Sequence, residues 1–202
     1  DGMTIVSEFG PAGDDFPQQF VDVSYGLVDE VVGTDSYFLV PTPGLPNDSN
    51  SIPDGIVGDT TFTFDRGFYD TPFDTDITST TNGASIVYTT DGSEPTLTNG
   101  TVVAAANATT PPTATVHIDR TTVLRAAAFK DNYLSTNVDT QTYLFLDDVI
   151  EQDVQSTRAA GFPSSWKGTV ADYGMDPEVI AQDGTDLYEG VYADSIRDDL
   201  KA

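Results

Sequence analysis

The sequence predicts a mainly β protein, an antiparallel sandwich of the immunoglobulin or fibronectin-III-like kind with a short α-helical C-terminal segment. Two observations predict this fold class. Between residues 62 and 145, apolar residues alternate with polar ones in six or seven short segments separated by turn residues. The 202 residues also include 11 Phe and 9 Tyr, the large side chains that fill the space between two packed sheets.

Four regions follow one another along the chain. We expect a partial immunoglobulin-like β segment over residues 1–47, a linker over 48–57, the sandwich over 58–146, and an extension with short helices over 147–202. The linker is rich in Asp, Ser, Asn and Pro, which interrupt regular structure.

The first region contains three candidate strands, at residues 3–9, 19–25 and 37–40, followed by a Pro-rich exit at residues 41–47. The prolines prevent that exit from joining a central strand. Three strands are too few to bury two sheet faces against each other, so we expect the missing strands to come from elsewhere. The candidate assembly-interface residues are Ile5, Phe20, Val23 and Phe38.

The segments of the sandwich each present one apolar face. The inward residues are predicted to be Phe62/Phe64, Phe73/Ile77, Ala84/Ile86/Tyr88, Ala114/Val116/Ile118, Leu124/Ala126/Ala128 and Tyr143/Phe145. We expect Tyr88, Leu124 and Tyr143 to be buried. The dipeptide Asp91-Gly92 is expected in a tight turn, because Asp-Gly accepts the positive φ that a strand reversal needs.

Several pieces of this region together resemble a known family. They are residues 83–96 (GASIVYTTDGSEPT), 121–129 (TTVLRAAAF), Leu134-Ser135 and 140–145 (TQTYLF). The series is similar to the fibronectin-type-III-like module at the C-terminus of chitobiases and β-hexosaminidases, which also occurs in bacterial surface proteins. The resemblance covers about residues 58–146 and departs from the family between Asn99 and Thr115, where a Thr-, Ala- and Pro-rich insert replaces a short strand. It implies an accessory role without chemistry of its own.

Both flanking regions also resemble known domains. Residues 22–26 and 37–47 are similar to the end of a lamin-tail domain, an immunoglobulin-like sandwich. Residues 173–177 (YGMDP) resemble the junction that precedes kinase-like domains of the spore-coat type in surface proteins. No catalytic residue of such a kinase lies within the 202 residues.

Helices are expected only in the last region. Asp176-Pro177-Glu178 is a good helix start, with Asp as N-cap and Pro at the first helical position. A final helix is expected to place Leu187, Val191, Ile196 and Leu200 on one face.

Composition restricts the partners and the location. The formal net charge is −25, and so acidic a surface repels nucleic acid and anionic lipid. No apolar run approaches the roughly 20 residues needed to cross a bilayer, so we expect no membrane insertion. Abundant Thr and few Lys favour an extracellular or cell-surface location. The chain opens at Asp1 and has no signal peptide, so we expect a processed product or a fragment of a longer protein.

The residue types that most catalysis requires are scarce. Cys is absent, and His117, the only His, is predicted to lie on the exposed face of its strand, opposite Val116 and Ile118. No phosphate-binding loop is present, and pairs of carboxylates are expected by chance among 33 acidic residues. We therefore expect no enzymatic activity and no catalytic residue.

Calcium is the most plausible ligand, because it prefers several oxygen atoms and acidic loops supply them. Asp74 and Asp76 would place two carboxylates on one face of a strand, and Asp14-Asp15 and Asp147-Asp148 are alternatives. The simpler interpretation of all these acids is solvated surface charge.

Two features of the sequence indicate glycans, one as candidate attachment sites and one as a candidate binding residue. Candidate glycosylation sites are the sequon residues Asn47, Asn99 and Asn107 and the loop residues Thr109 and Thr110. Trp166, the only Trp, could stack on a sugar. Because sugar-binding faces usually show several aromatic residues, we favour its packing onto the sandwich.

Two functions remain open from the sequence. The first is a non-catalytic extracellular structural protein whose copies join by β-strand complementation into a fibre, filament or sheath. The alternative is an accessory spacer or carbohydrate-binding module of a larger secreted enzyme or kinase-like surface protein, with an extracellular glycan as partner.

Overall fold

The structure is a computed structural model that describes residues 17–20, 23–31, 34–159, 162–175 and 191–201. Strands in these ranges are β1 (Ser24–Leu27), β2 (Asp35–Phe38), β3 (Gly55–Ile56), β4 (Thr60–Phe62), β5 (Gly67–Tyr69), β6 (Phe73–Ser79), β7 (Ser85–Thr89), β8 (Thr101–Ala104), β9 (Thr113–Ile118), β10 (Thr122–Phe129), β11 (Tyr133–Leu134), β12 (Asp139–Phe145), β13 (Ser165–Trp166) and β14 (Thr169–Val170). The α-helices are α1 (Leu146–Ile150), α2 (Val154–Ala159) and α3 (Val191–Lys201), and 3₁₀ turns cover Val28–Glu30 and Ser49–Ser51.

The centre of the molecule is a β-sandwich. One sheet has the strand order β5-β12-β10-β7-β8 and the other has the order β4-β6-β9. Their pairings are antiparallel except between β12 and β5, which run parallel. The predicted mainly β class and antiparallel sandwich are confirmed.

The core lies between the two sheets and follows the alternation in the sequence. Ile86, Leu124 and Tyr143 have no exposed surface, and β10 pairs with β7 so that Ala128 lies opposite Ile86. Tyr143 also donates its hydroxyl hydrogen to the carbonyl oxygen of Phe64 at 2.9 Å. This bond satisfies the polar end of a fully buried ring.

Three details of the predicted sandwich differ from the structure. Tyr88 is half-buried, because it packs against the core cluster from its margin rather than within it. Phe64 is 40% exposed because β4 ends at Phe62, so the alternation no longer applies to it. The insert predicted to replace a strand contains β8 itself, at Thr101–Ala104.

The Asp91-Gly92 dipeptide has the predicted positive φ, +76° at Gly92, but does not make a tight hairpin. Residues 90–100 connect β7 to β8, and within them the Gly92 N–H donates to the Val123 carbonyl at 3.2 Å. The Asp91 carboxylate accepts hydrogen bonds from the backbone and hydroxyl of Ser93. The loop therefore bends against β10 before the chain reverses.

The N-terminal region is tied to its own chain. β1 and β2 form an antiparallel hairpin, and Phe38 at its end is 1% exposed. The side chain of Asn47 donates to the Leu27 carbonyl at 2.7 Å and accepts from Thr42 at 2.8 Å. The strand predicted at 37–40 corresponds to β2, the one predicted at 19–25 overlaps β1, and residues 3–9 lie outside the described residues.

The region predicted as a linker contributes to the sandwich at its C-terminal end. β3 pairs in parallel with β11, and Val57 is 3% exposed as part of the core. The domain boundaries remain predictions.

The C-terminal helices continue directly from the sandwich. α1 begins at the residue after β12 and buries Leu146 and Ile150, and α3 packs against α1. The predicted helix start at Asp176 and the predicted apolar residue Leu187 lie outside the described residues. Within the described ranges, the helices are all too short or too polar to span a bilayer.

Candidate functional site

The predicted calcium ligands lie on the outer face of β6, each beside a residue of β9. Asp74 is 2.7 Å from the imidazole Nδ1 of His117, and the hydroxyl of Thr115 donates to Asp76 at 2.6 Å. His117 is exposed, as predicted. In the part of the chain that the structure describes, no three His, Cys, Asp or Glu side chains come together as a metal site. Calcium binding at Asp74 and Asp76 stays a prediction.

The sequon residues differ in what their side-chain amides do. The Asn47 amide is half-buried and holds Leu27, so a glycan on its nitrogen would break that contact. The Asn99 amide donates to Glu94 and Ser93 at the surface. Asn107 is exposed and uses its oxygen to accept from Thr109.

The two threonine candidates lie with Asn107 in one exposed turn. The Thr109 hydroxyl donates to the Asn107 side chain, and the Thr110 hydroxyl lies 3.3 Å from the Asn107 carbonyl. Glycosylation at these positions stays a prediction.

The predicted assembly residues are not grouped on an open surface. Phe38 is buried within its own chain, which corrects its assignment to an exposed interface. Phe20 and Val23 are half-buried, and the Phe20 ring packs edge-on against Tyr37. Ile5 lies outside the described residues.

Trp166 does not pack onto the sandwich as predicted. It lies at the end of β13 and is 51% exposed, next to a turn in which Lys167 and Gly168 have φ values of +47° and +88°. Two positive φ values in succession are typical of the tight turns that join short antiparallel strands. The turn therefore presents the indole ring outward.

Trp166 belongs to an aromatic cluster, which we define as Phe162, Trp166 and Tyr173. The ring centroid of Tyr173 lies 5.1 Å from that of Trp166 and 5.6 Å from that of Phe162. The Tyr173 hydroxyl donates to the carbonyl of Pro163 at 3.0 Å, which fixes the central ring. Sequence reasoning missed Phe162 and Tyr173, although both lie within eight positions of the only Trp.

The aromatic cluster is anchored to the loop between α1 and α2. Gln152 donates its side-chain amide to the Tyr173 carbonyl, and its own carbonyl accepts from Met175 at 3.0 Å. The Phe162 N–H donates to the Thr157 carbonyl at 3.2 Å. These bonds fix the backbone at Phe162 and Tyr173 relative to the helices.

A groove of about 700 Å³ lies beside the aromatic cluster, between one end of the sandwich and helices α1 and α2. Phe162 forms part of its wall. The charged residues that line it are Asp91, Asp119, Arg120, Asp148 and Glu151.

Hydrogen bonds keep two of these acids ionised. The Ser93 hydroxyl lowers the pKa of Asp91, and the Arg120 guanidinium, 3.0 Å away, lowers the pKa of Asp119. The groove therefore carries more negative than positive charge at neutral pH.

Comparison with known protein families matches residues 64–140 to the chitobiase/beta-hexosaminidase C-terminal domain. The match covers most of the sandwich and confirms the resemblance for this module. The matched family is a non-catalytic C-terminal module. A search of curated proteins found no match, and neither did a search of solved structures. The lamin-tail-like and kinase-junction resemblances stay predictions.

Proposed function

We propose that this chain is a non-catalytic structural unit of an extracellular protein, in which the sandwich is a rigid spacer that holds the segments on either side in fixed positions. The observation that carries the proposal is that both flanks are hydrogen-bonded directly to the sandwich. A freely jointed accessory module would instead be connected through exposed, polar linkers.

On the N-terminal side, the connection to the sandwich consists of backbone hydrogen bonds. The Asp54 N–H donates to the Asn132 carbonyl at 2.7 Å, and the Val57 N–H donates to the Leu134 carbonyl at 2.9 Å. Val57 adds its side chain to the core. Since these partners lie about 80 positions apart in sequence, the contacts constrain the direction in which the N-terminal region leaves the sandwich.

On the C-terminal side, the last core strand runs into α1 without a linker. Asp148 in α1 accepts the Thr121 N–H from the turn before β10, and Ile150 is 1% exposed. The hydrogen bond from Thr121 therefore fixes the helix direction relative to the sandwich, and the burial of Ile150 holds the helix against its surroundings.

The spacer proposal predicts one cooperative unfolding transition. We would measure calorimetric and van't Hoff enthalpies of the full chain, which agree when the flanks and the sandwich unfold together. Ile150→Ala should lower the midpoint of that one transition, while Glu151→Ala, an exposed change beside it, should leave it nearly unchanged. Two separate transitions, with Ile150→Ala affecting only one, would contradict the proposal.

The non-catalytic part of the proposal has its own test. The match to a C-terminal module supports it, and purified protein should hydrolyse neither chitin oligosaccharides nor phosphoesters. Turnover that disappears when the Asp74–Asp76 pair is changed to Asn would contradict this expectation.

A filament subunit is the second candidate, and one observation favours it. β8 ends the strand order of the larger sheet, and Val102 on it is 50% exposed, with Leu97 in the preceding loop 60% exposed. An edge strand of this kind can accept a strand from another copy. The burial of Phe38 argues against that residue as part of the joining surface.

Sedimentation at increasing protein concentration would test self-association, in salt that screens the net charge. Parallel samples with calcium and with chelator at matched ionic strength test whether divalent cations assist. The filament model predicts growing particles that Val102→Pro abolishes, because Pro cannot donate a ladder hydrogen bond. A chain that stays monomeric throughout would contradict it.

A further inference from the structure

Three Asn-x-Ser/Thr sequons occur in the chain, and the structure gives each Asn side chain different surroundings. The sequons begin at Asn47, Asn99 and Asn107. An N-linked glycan replaces one hydrogen of the side-chain nitrogen Nδ2 and extends from it into solvent. A folded chain therefore accommodates a glycan only where Nδ2 faces solvent and has a hydrogen that no other contact needs.

Asn47 does not meet this requirement, because its nitrogen lies against strand β1. The residue is half-buried and donates from Nδ2 to the Leu27 carbonyl at 2.7 Å. A Cβ at Gly26 would come within 3.1 Å of the same nitrogen, so β1 occupies the space that a sugar ring needs. A glycan on Asn47 would separate this side chain from β1.

Asn99 is exposed, but its nitrogen already has two acceptors. It donates to the Glu94 carbonyl at 2.7 Å and to the Ser93 hydroxyl at 3.1 Å. These bonds lie within the connection between β7 and β8, in which Pro95 is fully buried. A glycan would replace one of the two donor hydrogens and cost the connection a hydrogen bond.

Asn107 meets both conditions. It is exposed and lies in the connection between β8 and β9. Its side-chain oxygen accepts from the N–H of Thr109 at 2.9 Å and from the Thr109 hydroxyl at 2.7 Å, which makes an Asx turn. Among the described residues, none accepts a hydrogen bond from the Asn107 nitrogen. The side chain is therefore held through its oxygen while its nitrogen is available.

The turn that carries Asn107 is fixed to the sandwich by contacts that do not involve this nitrogen. The Gly83 N–H donates to the Thr110 carbonyl at 2.9 Å, and a Cβ at Gly83 would come within 3.2 Å of the Ala108 backbone. Pro112, just before β9, is fully buried. Attachment of a sugar to Asn107 leaves all of these contacts intact.

We propose that Asn107 is a site of N-glycosylation and that Asn47 and Asn99 stay unmodified in the folded chain. The chain is the acceptor, the donor is a lipid-linked glycosyl phosphate, and a glycosyltransferase of the cell is the catalyst. A bond forms between the Asn107 nitrogen and the anomeric carbon of the sugar. The bond from that carbon to the phosphate oxygen breaks, the phosphate leaves with the electron pair, and the amide proton passes to a base of the transferase. This modification goes beyond the spacer role and leaves it unchanged.

Mass spectrometry of the full chain, secreted from a host that glycosylates such sequons, tests the proposal. The intact mass should show a single glycan. An amidase that removes N-linked glycans leaves an aspartate where the modified asparagine was. Peptide mapping after this treatment should find the conversion at position 107 alone, with Asn47 and Asn99 unchanged.

Single changes within the sequons provide the controls. Thr109→Ala keeps Asn107 but removes the hydroxyl that the sequon requires, so it should abolish the glycan, whereas Thr109→Ser should retain it. Ser49→Ala and Thr101→Ala are exposed changes that remove the other two sequons. Neither should alter the mass of the attached glycan.

Thermal unfolding measures whether the sugar fits the folded chain. The glycosylated chain should unfold at a midpoint no lower than that of the same chain from a host without this modification. The reason is that the Asn107 nitrogen makes no described contact that the sugar would break.

Four results would overturn the proposal. They are a glycan on Asn47 or Asn99, no glycan on any sequon, a glycan that persists in Thr109→Ala, and a lower unfolding midpoint for the glycosylated chain. Sugar found only on the hydroxyl of Thr109 or Thr110 counts as the second of these results, because the amidase would not remove it.

Discussion

Leu124 illustrates how single residues stabilise the space between the sheets. Its side chain has no exposed surface and lies on β10, whose neighbours are β7 and β12. Val123, the next residue, points to the opposite side of the sheet and is 36% exposed. This pair of neighbours separates the effect of burial from the effect of strand propensity.

Leu124→Ala should lower the free energy of unfolding by about 2–5 kcal/mol, because it removes buried methyl groups and leaves a cavity. Val123→Ala, the matched control, should cost much less, since its side chain already contacts solvent. Denaturant titration of both variants checks this. A larger loss from Val123→Ala than from Leu124→Ala would mean that β10 lies in the other register.

Gly100 meets both a steric and a conformational requirement at the start of β8. Its φ is +114°, and a Cβ there would come within 2.6 Å of the Tyr88 carbonyl oxygen. Gly168 also has a positive φ, +88°, but a Cβ there would meet nothing within 4 Å. Both positions therefore have a backbone conformation that other residues rarely adopt, but only Gly100 lacks space for a Cβ.

Gly100→Ala should destabilise the protein by clearly more than the roughly 1 kcal/mol expected from strain alone, and Gly168→Ala by about that strain value. Thermal unfolding of the two variants provides the comparison. Similar losses would show that β8 moves away from β7 to make room for the new methyl group.

At the scale of elements, helix α2 begins at an N-cap residue, Asp153, whose carboxyl group can be protonated in acid. The Asp153 carboxylate accepts the Ser156 N–H at 2.6 Å, at the start of a helix of six residues. This hydrogen bond from the Ser156 backbone lowers the pKa of Asp153. A lowered pKa in the folded state means stability that is present at neutral pH and lost as pH falls through that pKa.

Asp153→Asn keeps an oxygen acceptor for the cap but removes the charge. The unaltered chain should be the more stable of the two at neutral pH, and its advantage should disappear in acid as Asp153 becomes protonated. Urea unfolding at a series of pH values measures the difference. A difference that does not depend on pH would contradict the cap assignment.

The strands that could be predicted from the sequence are those in which apolar and polar residues alternate along the whole strand. In β9, Ala114, Val116 and Ile118 face the core and the residues between them are exposed, so the sequence alone gives the register. β8 escaped prediction because it is an edge strand with little buried surface, and its alternation is therefore weak.

Other features depend on contacts that no local pattern encodes. β3 is two residues long and forms only because β11, far along the chain, lies beside it. The aromatic cluster needs the turn at Lys167-Gly168 and the anchoring by Gln152 before its rings come together. Such features follow from tertiary contacts rather than from periodicity.

At the scale of the whole molecule, the central claim is that the flanks and the sandwich are one rigid unit. Val57 at the end of the N-terminal flank belongs to the sandwich core, and Asp148 after the last core strand accepts the Thr121 N–H, so each flank contacts the sandwich directly. Contacts on both sides oppose independent motion of the flanks.

Native-state hydrogen exchange of the full chain tests this claim most directly, because it reports the opening free energy of each amide. The decisive amides are those of Asp54, Val57 and Thr121, which hydrogen-bond the flanks to the sandwich, and that of Ala126 in the core strand β10. We predict that all four exchange only through global unfolding, with similar free energies. Exchange of Asp54, Val57 or Thr121 through low-energy local opening, while Ala126 stays protected, would contradict the claim of one rigid unit.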